Sequence, residues 1–183
     1  PSVRLAPTVW SFPYRSKIGG RGGQLLRPAF THPEPLGPNP MGRHYATLLK
    51  VIETWQTKDA EGVLAHLHED IIWHYAAAAM PPIRGKAMAR KLLSRFQQDM
   101  HGIQWRIFAH AEVGDTLFIE GVDEYQSTDG HLIAAPYAGV LDFRDGLIIG
   151  WRDYVDIGVL AQQKAGEPLS KQVLELINRP TAA

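Results

Sequence analysis

The sequence predicts an α+β domain in which helices pack against one face of a curved antiparallel β-sheet. Apolar residues first recur at helical spacing, and later segments alternate between apolar and polar residues as strands do. Asp/Gly turn signals separate these later segments: Val113-Gly114-Asp115, Thr128-Asp129-Gly130 and Arg144-Asp145-Gly146. Helices followed by an antiparallel meander are typical of the α+β class.

The individual elements follow from spacing and capping residues. A first helix carries its apolar residues at Tyr45, Leu48, Leu49, Ile52 and Trp55, and Asp59 is placed to cap a second helix. Further helices are predicted over 86–100 and 169–178, with a loop over 76–84. The predicted strands are 70–75, 103–112, 115–125, 131–143 and 147–156.

Composition divides the 183 residues at Met41. Residues 1–40 hold 8 of the 13 prolines and a net charge of +4, whereas residues 41–183 carry −4. Because proline and glycine interrupt helices and central strands, we predict an extended Pro/Gly-rich basic extension over 1–40. Two alternatives stay open: a native tail, or sequence that precedes a natural start at Met41. The folded domain is predicted over 41–183.

The sequence lacks the signals of several function classes. It has no cysteine, no dinucleotide or P-loop glycine motif, and no HxxxH or HExxH spacing, so we predict neither a cofactor nor a metal site. The acidic domain has no basic stripe and no apolar stretch of 18 residues, so neither nucleic acid nor a membrane is an expected partner. No secretory signal pattern occurs, and a cytoplasmic location is expected.

Two aspartates are the candidate catalytic residues. Strand alternation places Asp123 with Ile119, Gly121 and Tyr125, and Asp153 with Ile149, Trp151 and Val155. A carboxylate on an apolar face is unfavourable unless it is paired, hydrogen-bonded or protonated. Two carboxylates that interact in an apolar cavity have their pKa values pushed apart, which provides one acid and one base. The alternative is that both are structural aspartates with satisfied hydrogen bonds.

Aromatic residues on the same faces predict a cavity for a small hydrophobic molecule. The candidates for binding substrate or water are Trp73, Tyr75, Gly121, Tyr125, Tyr137 and Trp151. The alternative is that these aromatic side chains form an ordinary core.

Several segments together resemble a known family. They are Val122-Asp123, Gly139-Val140, the stretch 145–148 and Trp151-Arg152-Asp153-Tyr154-Val155-Asp156. Over 41–165 the chain is similar to limonene-1,2-epoxide hydrolases and the wider SnoaL-like group of the nuclear transport factor 2-like superfamily. The resemblance implies a cone-shaped curved antiparallel sheet with helices on its concave face. It also implies a homodimer through the outer face of the sheet, where Phe118, Val122, Val140 and Ile148 are predicted to lie.

The resemblance assigns roles to both aspartates. It implies that Asp153 is the base that activates water and that Asp123 donates a proton to the epoxide oxygen. The family's arginine between them falls on Gly121, and its water-binding Tyr and Asn fall on Trp73 and Tyr75. The missing guanidinium predicts free volume above Gly121, and therefore a ligand that is larger than limonene or differently shaped.

The expected function is a cofactor-independent hydrolase that opens a hydrophobic epoxide with activated water. Two alternatives stay open: an isomerase or cyclase that acts on a polycyclic ketone, and a non-catalytic protein that binds a hydrophobic ligand in the same cavity.

Overall fold

The computed structural model describes residues 42–182, so the extension predicted over 1–40 lies outside the described residues. In chain order the elements are α1 Arg43–Gln56, α2 Ala60–Ala65, β1 Leu67–His74, β2 Ile83–Arg84, α3 Lys86–Asp99, β3 Met100–Val113, β4 Thr116–Ser127, β5 Leu132–Arg144, β6 Leu147–Val155, α4 Ile157–Lys164 and α5 Lys171–Ile177. The predicted α+β class is confirmed, and each predicted helix and strand is present. Strand β2 and helix α4 were not predicted.

The six strands form one curved sheet in the order β2-β1-β6-β5-β4-β3. Strands β3 to β6 form the predicted antiparallel meander. At the β5–β6 turn, Asp145 and Gly146 both adopt positive φ, at 51° and 79°, as a tight hairpin requires. Strand β1 pairs in parallel with β6, a connection that the local sequence pattern did not predict.

Helices α1 to α3 pack on the inner face of the sheet and form the main core. The Asp59 side chain accepts a hydrogen bond from the Gly62 backbone N–H at 2.9 Å, which confirms the predicted cap of α2. Fully buried aliphatic residues from helices and strands meet in this core: Leu48, Leu64, Leu67, Ile71, Leu117 and Leu141. Burial of each such side chain contributes about 1.5–3 kcal/mol to folding.

Helix α5 lies on the opposite, outer face of the sheet. Its Val173 and Ile177 cover Val122 and Ala134 in a second apolar cluster. After the helix, Arg179 donates to both carboxylate oxygens of Glu120, at 2.8 and 3.1 Å. The chain's own C-terminal helix therefore covers Val122, which was expected to face a partner subunit.

Helix α4 covers the part of β5 that β6 does not reach. The last β5–β6 pair joins Tyr137 to Val155, so Ala134 lies beyond the end of β6. The buried Gln163 amide accepts from the Ala134 N–H and donates to the Ala134 carbonyl, both at 3.0 Å. The Gln163 side chain thus makes the hydrogen bonds that a neighbouring strand would otherwise make to Ala134, because buried backbone N–H and C=O groups need partners.

A bulge in β6 changes which residues face the core. Asp142 pairs with Gly150 and Phe143 with Ile148, so Ile149 has no opposite residue. Ile148 is fully buried in the core, and Ile149 lies in an outer groove beside Arg152. The predicted faces of Ile148 and Ile149 are wrong, because the extra residue reverses the alternation.

No helix among residues 42–182 is long and apolar enough to cross a membrane.

Candidate functional site

The inner face of the sheet and helix α3 border two cavities of about 70 and 300 Å³. The two cavities share six lining residues, namely Trp73, Phe96, Met100, Asp123, Tyr125 and Asp153. Both candidate aspartates therefore lie where the cavities adjoin. The remaining lining side chains are mostly apolar, as in small-molecule sites.

Strand register brings the two carboxylates to this region. Asp123 on β4 pairs with Ala135, and Asp153 on β6 pairs with Gly139. Ala135 and Gly139 lie two positions on either side of Tyr137 in the central strand β5. A Cβ atom at Gly139 would lie 3.2 Å from Asp153 Oδ1, so the absence of a side chain leaves room for this carboxylate.

Asp153 is held by two stacked indole rings. Trp151 Nε1 donates to Oδ1 at 2.8 Å and Trp73 Nε1 donates to Oδ2 at 3.3 Å, with ring centroids 4.7 Å apart. Burial raises the pKa of Asp153 to about 6, and these two hydrogen bonds oppose the increase. A carboxylate oxygen accepts more than one hydrogen bond, so each oxygen retains capacity for a water molecule.

Asp123 makes no hydrogen bond to another side chain within residues 42–182, and its side chain is exposed towards the cavities. Desolvation by the surrounding protein raises the pKa of Asp123 to about 8, and the charge on Asp153 adds to this increase. The repulsion acts at Asp123 because Asp153 ionises first. Water in the cavity weakens this shift, whereas an apolar ligand that displaces the water strengthens it.

Seven of the eight candidate residues line one or both cavities. The eighth, Gly121, does not. A Cβ atom at Gly121 would lie 2.5 Å from the Arg106 carbonyl oxygen, 3.1 Å from Ile107 Cδ1 and 3.3 Å from Tyr137 Cε1. The expected free volume above Gly121 is wrong, because the β3 backbone and the side chains of Ile107 and Tyr137 occupy it.

Sequence reasoning missed Trp105, which extends the aromatic wall. Its ring stacks on Trp151 with centroids 5.8 Å apart, and its indole N–H donates to the Tyr137 hydroxyl. Alternation within the predicted strand 103–112 groups Trp105 with Ile103 and Ile107, a signal that identifies the inward face. Phe96 brings helix α3 to the site, and helical spacing within 86–100 identifies it in the same way, whereas Met100 is the first residue of β3.

The larger cavity has an apolar rim with one cation. Met80 and Ile157 line it and are 46% and 51% exposed, and Leu160 and Lys164 come from helix α4. An apolar ligand that extends out of the cavity would contact this rim.

No three His, Asp or Glu side chains are grouped closely enough to bind a metal ion anywhere in the described range 42–182. The arrangement places two carboxyl groups whose pKa values are raised to different extents against one mainly apolar cavity, which suits proton transfer near neutral pH.

Comparisons with known proteins bear on the same part of the chain. A family model described as a SnoaL-like domain matches residues 48–151. No curated protein sequence matches the chain. A solved structure of an LEH-like epoxide hydrolase from M. tuberculosis is similar, with 23% identity, a TM-score of 0.58, and coverage of 66% of this chain and 88% of that chain.

Two further structures share the fold. A putative isomerase from Bacillus subtilis has 21% identity and a TM-score of 0.61, covering 72% of this chain and 99% of that chain. A putative polyketide cyclase from Xanthomonas campestris pv. campestris has 21% identity and a TM-score of 0.54, covering 66% and 96%. At these identities the similarity concerns the fold.

Proposed function

The chain belongs to the SnoaL-like domain family, and we propose that it is a cofactor-independent hydrolase that opens a hydrophobic epoxide with water. The observation that carries this proposal is the placement of two carboxyl groups, Asp123 and Asp153, against the same mainly apolar cavities, where their pKa values are raised to different extents. Asp153, with a pKa of about 6, is mostly ionised at neutral pH, and Asp123, with a pKa of about 8, is mostly protonated. One group is thus a base and the other an acid under the same conditions.

The proposed reaction transfers two protons in one step. Asp153 removes a proton from a water molecule as the water oxygen attacks an epoxide carbon. The bond from that carbon to the ring oxygen breaks, and Asp123 donates its proton to this oxygen. The product is a vicinal diol, and proton exchange with water returns both carboxyl groups to their starting states.

The surroundings of Asp153 support its role as the base. The indole N–H groups of Trp151 and Trp73 fix the orientation of the carboxylate and stabilise its charge. Burial still leaves the pKa of Asp153 above the ordinary 3.8, which increases its basicity towards water. A base with a pKa near the working pH is efficient, because it is both ionised and a good proton acceptor.

The absence of arginine at position 121 favours a second candidate, an isomerase or cyclase that acts on a ketone. Since no guanidinium lies at Gly121, the protonated Asp123 has no cationic partner there and can donate a hydrogen bond to an enolate. Asp153 would then remove a proton from carbon rather than from water. Structures named as a putative isomerase and a putative polyketide cyclase share this fold.

Two labelling experiments and a binding measurement separate these functions. The full chain is incubated with a panel of hydrophobic epoxides in H₂¹⁸O, and separately with cyclic ketones in D₂O. A diol that carries one ¹⁸O atom is the result expected for the hydrolase. Deuterium beside the ketone without diol formation would instead identify the isomerase class, and ligand binding without either product would identify a binding protein.

The Asp153→Asn variant assigns the reaction to the site. It retains the size of the side chain but not the base, so turnover should fall by about 10²–10⁴-fold. The matched control is Asp70→Asn, which removes an exposed carboxylate from the outer groove. Equal activity of the Asp153→Asn variant and the wild type would contradict the assignment.

A further inference from the structure

Tyr137 carries a hydroxyl proton that the described part of the protein does not use. The Trp105 indole nitrogen donates to the Tyr137 oxygen, and an indole N–H is only ever a donor. The Tyr137 oxygen is therefore the acceptor in this bond, and its own O–H remains available. Within residues 42–182 no acceptor binds this O–H, although the Tyr137 residue is only 6% exposed.

The backbone register places the Tyr137 side chain at the larger cavity. Tyr137 lines the larger cavity and pairs with Gly121 on β4 and Val155 on β6. Its ring is in close contact with Gly121, since a Cβ there would be 3.3 Å from Tyr137 Cε1. A side chain at position 121 would therefore press on the ring of Tyr137 as well as on the β3 backbone.

The electrostatic surroundings keep this hydroxyl a neutral donor. Burial raises the pKa of Tyr137 well above its usual value, and the charges of Asp123 and Asp153 raise it further. Both carboxylates line the larger cavity together with the phenol. The Trp105 hydrogen bond acts in the opposite direction on the pKa, because it withdraws electron density and makes the O–H a stronger donor.

We propose that the Tyr137 hydroxyl, oriented by Trp105, binds the oxygen atom of the ligand by donating a hydrogen bond to it. The ligand class is a mainly apolar molecule with one acceptor oxygen, such as an epoxide or a ketone. During epoxide opening Tyr137 stabilises the negative charge that develops on the ring oxygen, while the transferred proton comes from Asp123. The catalytic part of this inference rests on the proposed function, whereas its binding part does not.

A matched ligand pair tests the binding part without turnover. Benzophenone and diphenylmethane differ by one carbonyl oxygen, and their binding is measured by quenching of tryptophan fluorescence. For each protein the measured quantity is the dissociation constant of diphenylmethane divided by that of benzophenone. This ratio should be about tenfold larger in the wild type than in Tyr137→Phe, because the variant lacks one buried hydrogen bond to the ketone. The control is Tyr154→Phe, which removes a hydroxyl from a 52% exposed side chain and should retain the preference.

Infrared spectroscopy gives a second readout that a purely structural role would not change. The carbonyl stretch of bound benzophenone should lie at lower frequency in the wild type than in Tyr137→Phe. Trp105→Phe, which removes the orienting N–H, should give an intermediate frequency. Thermal unfolding of each variant shows whether it is folded before binding is measured.

If an epoxide substrate is found, kinetics test the catalytic part. Tyr137→Phe should lower kcat about 10²-fold, as for loss of a donor to a developing oxyanion, and should raise KM by a smaller factor, because the hydrogen bond to the bound substrate oxygen is also lost. Combining it with Trp105→Phe should add little, since Trp105 acts through Tyr137.

The two proposals fail in distinguishable ways. A ketone preference and carbonyl shift that both persist in folded Tyr137→Phe would overturn the role of Tyr137, whatever the reaction is. Absence of any epoxide product, with the preference present in the wild type and lost in Tyr137→Phe, would overturn the hydrolase proposal alone.

Discussion

The pKa of Asp153 makes a quantitative prediction for the stability of Asp153→Asn. The folded protein raises this pKa from 3.8 to about 6, a difference of about 2 units. Each unit corresponds to about 1.4 kcal/mol of difference between the two protonation states. At neutral pH the charged carboxyl therefore opposes folding by about 3 kcal/mol relative to its protonated form.

The sign of the pH dependence follows from which state binds the proton more tightly. Between pH 3.8 and about 6 the folded state holds the Asp153 proton and the unfolded state does not. The contribution of Asp153 to stability is thus complete below this window and is lost as the pH rises through it. Asparagine does not titrate. The free energy of unfolding of the Asp153→Asn variant, relative to that of the wild type, should therefore rise by about 3 kcal/mol between about pH 3.5 and 7.

Urea unfolding followed by tryptophan fluorescence and circular dichroism measures this change at each pH. Comparing the two proteins across pH cancels the pH-independent effect of replacing the hydrogen bonds to Trp73 and Trp151. The control is Asp142→Asn, because the hydrogen bond from Arg152 at 2.6 Å lowers the pKa of Asp142 and reverses the sign. Parallel pH curves for the wild type and Asp153→Asn would contradict a raised pKa of Asp153 in the folded protein.

Three further predictions concern the site and the strands around it. Turnover should follow a bell-shaped pH profile that rises as Asp153 ionises near pH 6 and falls as Asp123 loses its proton near pH 8, as steady-state kinetics from pH 5 to 9 would show. Gly121→Ala should lower the free energy of unfolding by about 1–3 kcal/mol, measured by urea unfolding, because the added Cβ overlaps a backbone carbonyl of β3. Gln163→Ala should cost about 2–4 kcal/mol in the same assay by leaving two backbone groups of Ala134 unpaired, whereas the exposed Gln162→Ala should cost little.

Local pattern was enough to predict most of the secondary structure. The cap at Asp59, the Asp145-Gly146 turn and the inward spacing from Tyr45 to Trp55 are each decided by neighbours in the chain. Alternation also placed Asp123 and Asp153 on inward faces, since both strands are regular at those positions.

Long-range pairing decided what the local pattern could not show. Ile149 reads as one more alternating residue, and only pairing with β5 shows that it is the bulged one. In the local pattern Gln163 is one more polar residue. Its amide binds the backbone of Ala134 only because β6 ends before it reaches that residue. The space above Gly121 depends on how closely the backbone of β3 approaches, which no spacing within β4 reveals.

The order of the elements and the inward placement of the two acids follow from the local amino-acid pattern, because helix and strand periodicity are properties of adjacent residues. The chemistry of those acids arises only in the folded sheet. Their pKa values depend on burial, on the indole N–H groups of Trp73 and Trp151 and on each other's charge. These contacts come from different strands, so they exist only when the sheet has formed.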